Sequence, residues 1–337
     1  MQHILRYSSI ALLMVFATTS LSAQTEQFAF RISFKDKAAT TFSIFNPSSF
    51  LSQRAVDRRA KYGIAVDSTD LPVVATYIDS VLNVTNGVLH LSSRWFNHCV
   101  ILTEDSSSVL NLLNLNFVDR VKKVGYYSTG LHQKPSNTYD SIGNTGNKPT
   151  AFDENFYAAA WNQINLCQGA YLHEQGNMGE GKLISVIDVG YSGVNSIAAF
   201  DRLFAEDRLI DTWNFIYDSS YVFDYGSHGT QVLSCMAAYI PETFVGTAPK
   251  AMYALYATDH LSTEQAIEED NLLAATERAD SLGTDVINSS LGYNTFDNSS
   301  DSYSYSDLDG NTTLAAKAAN MATRKGILFV TSAGNEG

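Results

Sequence analysis

The sequence predicts an α/β protein: a doubly wound parallel sheet preceded by a smaller, ferredoxin-like α+β unit. Three observations predict it. From Phe156 onward, short apolar runs alternate with longer helical patterns, as in parallel strands joined by crossovers. The first of these runs, Leu183 to Gly190 (LISVIDVG), shows no apolar-polar alternation, which fits a strand buried on both faces. Phe28 to Phe34 (FAFRISF), by contrast, alternates with the period of a half-buried strand.

The 337 residues suffice for two or three domains, and 45% hydrophobic with 17% charged residues describes a core-forming chain. A net charge of -13 argues against a nucleic-acid partner, which a basic patch would normally serve. No long apolar run follows the N-terminus, so no membrane span is expected. Cys99, Cys167 and Cys235 are widely spaced and form no metal pattern. One disulfide stays open, with buried free thiols as the preferred reading.

Residues 1–23 read as a secretory signal peptide: Arg6, then apolar Ile10 to Ala17, then small Ser20, Ser22 and Ala23. The protein is therefore expected to be secreted, extracellular or periplasmic. Residues 24–127 read as β-α-β-β-α-β with an extra helical insertion. In it, Phe50 to Tyr62 is a basic amphipathic helix, and Arg58-Arg59 is either a dibasic cleavage site or a solvated helix face. Val88 to Leu91, Trp95 to Leu102 and Val118 to Val124 are further strands, and Ser106 to Leu115 a helix. Residues 128–155, rich in Ser, Asn, Gly, Thr and Pro, read as a protease-accessible linker.

Residues 156–337 carry the larger sheet. Tyr157 to Gln175 is expected as a helix, Thr212 to Ile216 as a strand, and Gly229 to Tyr239 as a buried helix. Met252 to Thr258 is a strand, and Ser262 with Gln265 gives a capping-box pattern for a helix ending near Leu282. Val286 to Leu291 and Ile327 to Thr331 are strands, with a helix between them capped by Asn311 and stopped by Gly326.

Sites in open α/β sheets form at the carboxyl ends of the strands, and Asp188 ends the first one. A strand-terminal aspartate also serves as a plain turn cap. His228 follows 40 residues later, between glycines in Tyr225-Gly-Ser-His-Gly-Thr. A carboxylate beside one imidazole nitrogen fixes the tautomer and stabilises the imidazolium formed in proton transfer. Ser290, Leu291 and Gly292 end a strand with open backbone groups, to which an extended peptide could pair. Asn335, in the turn after the last strand, is an amide donor of the kind that steadies an oxyanion.

On these four motifs, in this order, residues 156–337 resemble the subtilisin-like serine proteases, peptidase family S8. The resemblance also rests on Gly246-Thr-Ala-Pro249 before Ala254-Leu-Tyr. It implies a subtilisin-like fold, catalytic Asp188 and His228, an oxyanion donor in Asn335 and a substrate strand at Ser290, Leu291 and Gly292. It also implies polypeptide substrates and a propeptide in residues 24–127, acting as intramolecular chaperone and inhibitor. Asn46-Pro47, Phe50-Leu-Ser52, Arg54 and Asp67 to Pro72 are similar to secreted subtilases of Bacteroidetes-type bacteria. The family's nucleophilic serine, in a Gly-Thr-Ser motif beyond the asparagine, has no counterpart before Gly337. The expectation is therefore a C-terminally truncated domain, with residues 1–337 alone hydrolysing no peptide.

The rival from another class is a catalytically inactive, truncated protease that binds peptides or inhibits a protease. A zinc hydrolase would need a second histidine in register with His173-Glu174, and none follows. No cofactor is required. Asp307, Asp309 and Asn311 offer calcium-like oxygen ligands in an acidic loop that is equally an ordinary solvated surface, so structural calcium stays open.

Overall fold

Residues 26–128 and 151–335 are described by a computed structural model. The expected signal peptide, the stretch 129–150 of the expected linker, and residues 336–337 lie outside them.

The N-terminal unit is built on β1 (Glu26–Phe34), followed by the inserted helix α1 (Gln53–Tyr62) and then α2 (Ala75–Thr85). Strands β2 (Val88–Ser93), β3 (His98–Thr103) and β4 (Val118–Ser128) complete an antiparallel sheet of order β2-β3-β1-β4. That is the ferredoxin-like order. The period of two in β1 sorts its side chains. Phe30, Ile32 and Phe34 pack with Val81, Val109 and Leu112 inside the unit. Ala29, with Val100 and Val124, faces the larger domain.

The larger domain opens with three short helices, α3 (Glu154–Tyr157), α4 (Trp161–Leu166) and α5 (Gly169–Glu174). Tyr157 to Gln175 is thus not one helix. Ala158 at φ 44° and Gln168 at φ 56° break it, and apolar spacing could not reveal either. Strand β5 (Leu183–Asp188) follows, then α6 (Asp201–Ala205), β6 (Leu209–Asn214) and α7 (His228–Ala237). A small hairpin, β7 (Tyr239–Ile240) with β8 (Phe244–Val245), leads to β9 (Met252–Ala257). Then come α8 (Ile267–Leu282), β10 (Val286–Ser289), α9 (Leu314–Arg324) and β11 (Leu328–Thr331). The five long strands run parallel in the order β11-β10-β5-β9-β6. Helix α7 covers one face with Val186, Leu233 and Leu255, and α8 and α9 cover the other with Ile187, Leu273 and Ala318. The sheet is doubly wound, as expected.

Three expectations are corrected here. Arg58 and Arg59 are neither solvated nor a reachable dibasic site: they are 5% and 1% exposed, held among carboxylates. Neither Ser262 nor Asn311 caps a helix. Helix α8 starts at Ile267 without a side-chain cap, and α9 is capped by the Thr313 hydroxyl on Ala316 N. The three cysteines are free, but only Cys99 is buried; Cys167 and Cys235 are exposed.

Candidate active site

The parallel strands deliver the sequence-predicted residues to one edge of the sheet. Central β5 ends on Asp188; Ser290, Leu291 and Gly292 continue neighbouring β10; Asn335 lies in an exposed bend after β11, one strand further out. His228 is the first residue of α7, whose start lies against the end of β5.

Asp188 is fully buried, and His228 Nδ1 lies 2.8 Å from its Oδ1 and 3.0 Å from its Oδ2. The Val189 amide donates to the same Oδ1 at 2.9 Å. Burial raises the Asp188 carboxyl above its ordinary value, and the bonds from His228 and Val189 partly offset that. The His228 side chain stays 53% exposed, so its ring is tethered on one nitrogen and open on the other. Among the described residues no serine hydroxyl is hydrogen-bonded to His228.

Glycines make this contact. A Cβ on Gly190, at φ +154°, would stand 1.8 Å from the Tyr225 carbonyl oxygen. A Cβ on Gly229 would stand 2.5 Å from Gly190 O and 2.9 Å from Asp188 Cβ. The glycines beside His228 thus let the start of α7 lie directly against the end of β5. Gly229→Ala is expected to cost about 1–3 kcal/mol of stability, as overpacking does, and to lengthen the Asp188–His228 contact. Denaturant unfolding checks the first effect and a variant structure the second; an unchanged contact would refute the account.

Beside Asp188 the floor of the site is acidic. Burial pushes the Asp259 carboxyl up to about 7 and Glu268 up to about 9. Glu268 accepts the His260 and Gln265 amides at 3.0 and 3.1 Å and so shapes the loop between β9 and α8. Both groups keep protons in the fold that the unfolded chain, titrating near 4, has released. Stability contributed this way is present below about pH 4 and lost as pH rises through the folded values. Between about pH 4 and 7 stability should fall by up to about 1.4 kcal/mol per pH unit per group. Asp259→Asn should flatten that slope in denaturant melts at pH 5 and 7; an unaltered slope excludes Asp259 as its source.

The N-terminal sheet lies over α8, and β4 runs past the same loop. The Tyr126 amide donates to Gln265 Oε1 at 2.7 Å, so the supposed capping glutamine holds the other domain instead. Tyr127 is buried, its ring edge-on to His260 at 5.4 Å. Arg31 makes a two-pronged bond to Asp270 at 2.7 and 2.5 Å. Glu277 accepts from Ser93 Oγ at 2.5 Å and from the Arg94 and Trp95 amides at 2.9 and 3.2 Å. The sequence points to none of Asp270, Glu277 and Asp280, and it gives Gln265 a different role. The available signal was charge complementarity between the basic stretch 50–62 and the acidic stretch 264–285. In the acidic loop, Asp309 Oδ1 accepts the Asn311 and Thr312 amides at 2.7 and 2.8 Å, and Asp307 accepts from Ser304 at 2.6 Å.

The site is thus a buried aspartate paired with a half-exposed histidine at the carboxyl edge of a doubly wound sheet, with a ferredoxin-like unit docked on a flanking helix. Residues 179–337 match the Subtilase family, and residues 29–139 match the Peptidase S8 propeptide domain of Bacteroidota. The chain carries a subtilase (peptidase S8) domain behind an S8 propeptide domain. Subtilisin DY of Bacillus licheniformis is 28% identical over 175 residues, which are 52% of this chain and 54% of that protein. The chain thus spans about half the length of this curated relative. Fervidolysin from Fervidobacterium pennivorans, a keratinolytic enzyme, is similar in structure with a TM-score of 0.52 at 16% identity, over 94% of this chain and 41% of that one. The epidermin leader peptide processing serine protease of Staphylococcus aureus gives 0.51 at 14% identity, over 92% and 60%. At these identities the two structures establish the fold. Among the described residues no helix is long and apolar enough to cross a membrane.

Proposed function

We propose that the protein is the precursor of a secreted serine endopeptidase. The Asp188–His228 contact carries this reading: a buried carboxylate on Nδ1 leaves Nε2 of an exposed imidazole free to exchange a proton with a nucleophile. In the reaction, His228 takes the proton of the serine as it attacks the peptide carbonyl and returns it to the leaving amine. Asp188 holds the ring and stabilises the imidazolium. Asn335 donates to the tetrahedral oxyanion, a contribution of about 3–4 kcal/mol to the barrier. The strand continuing through Ser290, Leu291 and Gly292 pairs with the extended polypeptide substrate. The nucleophile is assigned to a part of the protein outside these residues, consistent with coverage of 54% of Subtilisin DY.

Residues 24–127 act on this reading as the protein's own inhibitor, since β4 and Tyr127 occupy the loop beside the site. The signal-peptide pattern of residues 1–23 supports export to an extracellular or periplasmic setting. The test is hydrolysis of an unstructured protein substrate by the product of the whole gene. His228→Ala should abolish it, and an unaffected rate would refute the reading.

A further inference from the structure

Helix α1 is an addition to the ferredoxin-like pattern, and the sheet-on-α8 contact does not use it. It lies instead on the C-terminal ends of two helices of the larger domain, α8 and α9. Such ends carry unpaired carbonyls and partial negative charge. Here the other domain supplies their donors. Ser52 N donates to Ser281 O and Ser52 Oγ to Leu282 O, each at 2.9 Å. Arg54 Nε donates to Gly283 O at 3.0 Å and Arg58 Nη1 to Thr284 O at 2.6 Å. Arg58 Nε reaches Lys325 O, at the end of α9, at 3.3 Å.

Carboxylates sit among these caps. Asp280 is fully buried and pairs with Arg58, with Arg59 at 2.8 Å and with Arg94 at 2.6 Å. Arg59 also bonds Asp70 at 2.8 Å, and Lys325 answers from α9 onto Asp70 at 2.9 Å. Arg54 pairs with Asp285 at the rim. Both helices are followed by glycines that α1 approaches closely. A Cβ on Gly283 would stand 2.7 Å from Ala55 N, and one on Gly326 3.2 Å from Tyr62 Cδ2. The charges, the caps and the close approach all belong to one surface.

We propose that α1 is a second, selective anchor of the propeptide, which keeps it bound once the connection through 129–150 is cut and fits it only to a domain with this double helix end. The partner it recognises is a subtilase-type domain bearing carboxylates where Asp280 and Asp285 stand and glycines where Gly283 and Gly326 stand. The inference rests on the propeptide assignment above, but its readout is association, not hydrolysis. If the anchor behaves as expected while the protein cleaves no peptide, the protease reading alone fails.

The experiment places a site-specific protease sequence within 129–150 of the full chain, cuts it, and follows separation of the two pieces by gel filtration at rising NaCl. The unsubstituted pieces should stay together at about 0.15 M salt. Arg58→Met with Arg59→Met, and separately Asp280→Asn, should separate at least about 100-fold faster, as expected when one partner of a buried pair is removed. Lys122→Met, which removes a half-exposed ammonium paired with Asp301, should change the rate less than about threefold. Arg54→Met at the rim, expected to fold whatever the buried variants do, should speed separation about tenfold. Pieces that part at once without substitution, or Arg54→Met and Arg58→Met/Arg59→Met pieces that part at the unsubstituted rate, would overturn the proposal.

Discussion

Asp188→Asn is expected to lower peptide hydrolysis by about four orders of magnitude while leaving the fold standing. The carboxylate receives Nδ1–H of His228 at 2.8 Å and the Val189 amide at 2.9 Å. Nδ1 lies within 3.0 Å of both oxygens, so an asparagine sets its NH2 group against that nitrogen in either orientation. An NH2 group donating to Nδ1 forces the ring proton onto Nε2. The nitrogen that should accept the serine proton is then already protonated. The loss therefore falls on kcat, because the interaction is worth most when the imidazolium forms. Stability should change little or rise. The site is desolvated, Asp188 sits there with a raised pKa, and a neutral amide avoids the cost of a buried charge. The measurement is kcat and KM for the whole-gene protein at pH 8 beside a denaturant melt. A rate within tenfold of the parent would show that Asp188 does not orient His228. Activity lost together with the fold would show a structural aspartate instead.

Local chemistry made this pair readable. All six residues of β5 are buried, so the strand had no alternation to show, and an aspartate ending it stood out. The glycines around His228 pointed to a close approach, and the Cβ positions on Gly190 and Gly229 give the reason. The order β11-β10-β5-β9-β6 was not readable, because it depends on which crossover lies on which face and leaves no local trace. Misreadings arose where a side chain serves a distant partner. Gln265 satisfies a capping pattern in sequence but is taken by the Tyr126 amide, 139 residues away. Arg58 and Arg59 fit a solvated face by helical spacing, yet their partner Asp280 lies more than two hundred residues on. Helix α2, which fills the first crossover of the N-terminal unit, went unassigned because Ala75 to Thr85 lacks a side-chain cap and a charged face.

Asp280→Ala is expected to destabilise the uncut chain by about 3–5 kcal/mol, the cost of leaving a buried charge without its partner. Three guanidiniums converge on this one carboxylate, and it has no exposure through which water could replace it. Burial alone would raise its pKa, but Arg94, Arg59 and Arg58 together hold it below the ordinary carboxylate value. That direction fixes the pH dependence. The stabilisation is fully present above the unfolded value near 4 and is lost as pH falls through the lower folded value. The difference between parent and Asp280→Ala should therefore be constant from about pH 5 upward and shrink only in acid. Asp259 and Glu268 act oppositely, losing their contribution as pH rises, so the chain should be most stable in the mildly acidic range. Denaturant unfolding at pH 3, 5 and 7 separates the two effects, because Asp280→Ala removes the acid limb and Asp259→Asn about half of the neutral one, Glu268 supplying the rest. A cost under about 1 kcal/mol at pH 7 would mean that the arginines find solvent when Asp280 is gone. The two domains would then be joined by the sheet contact on α8 alone.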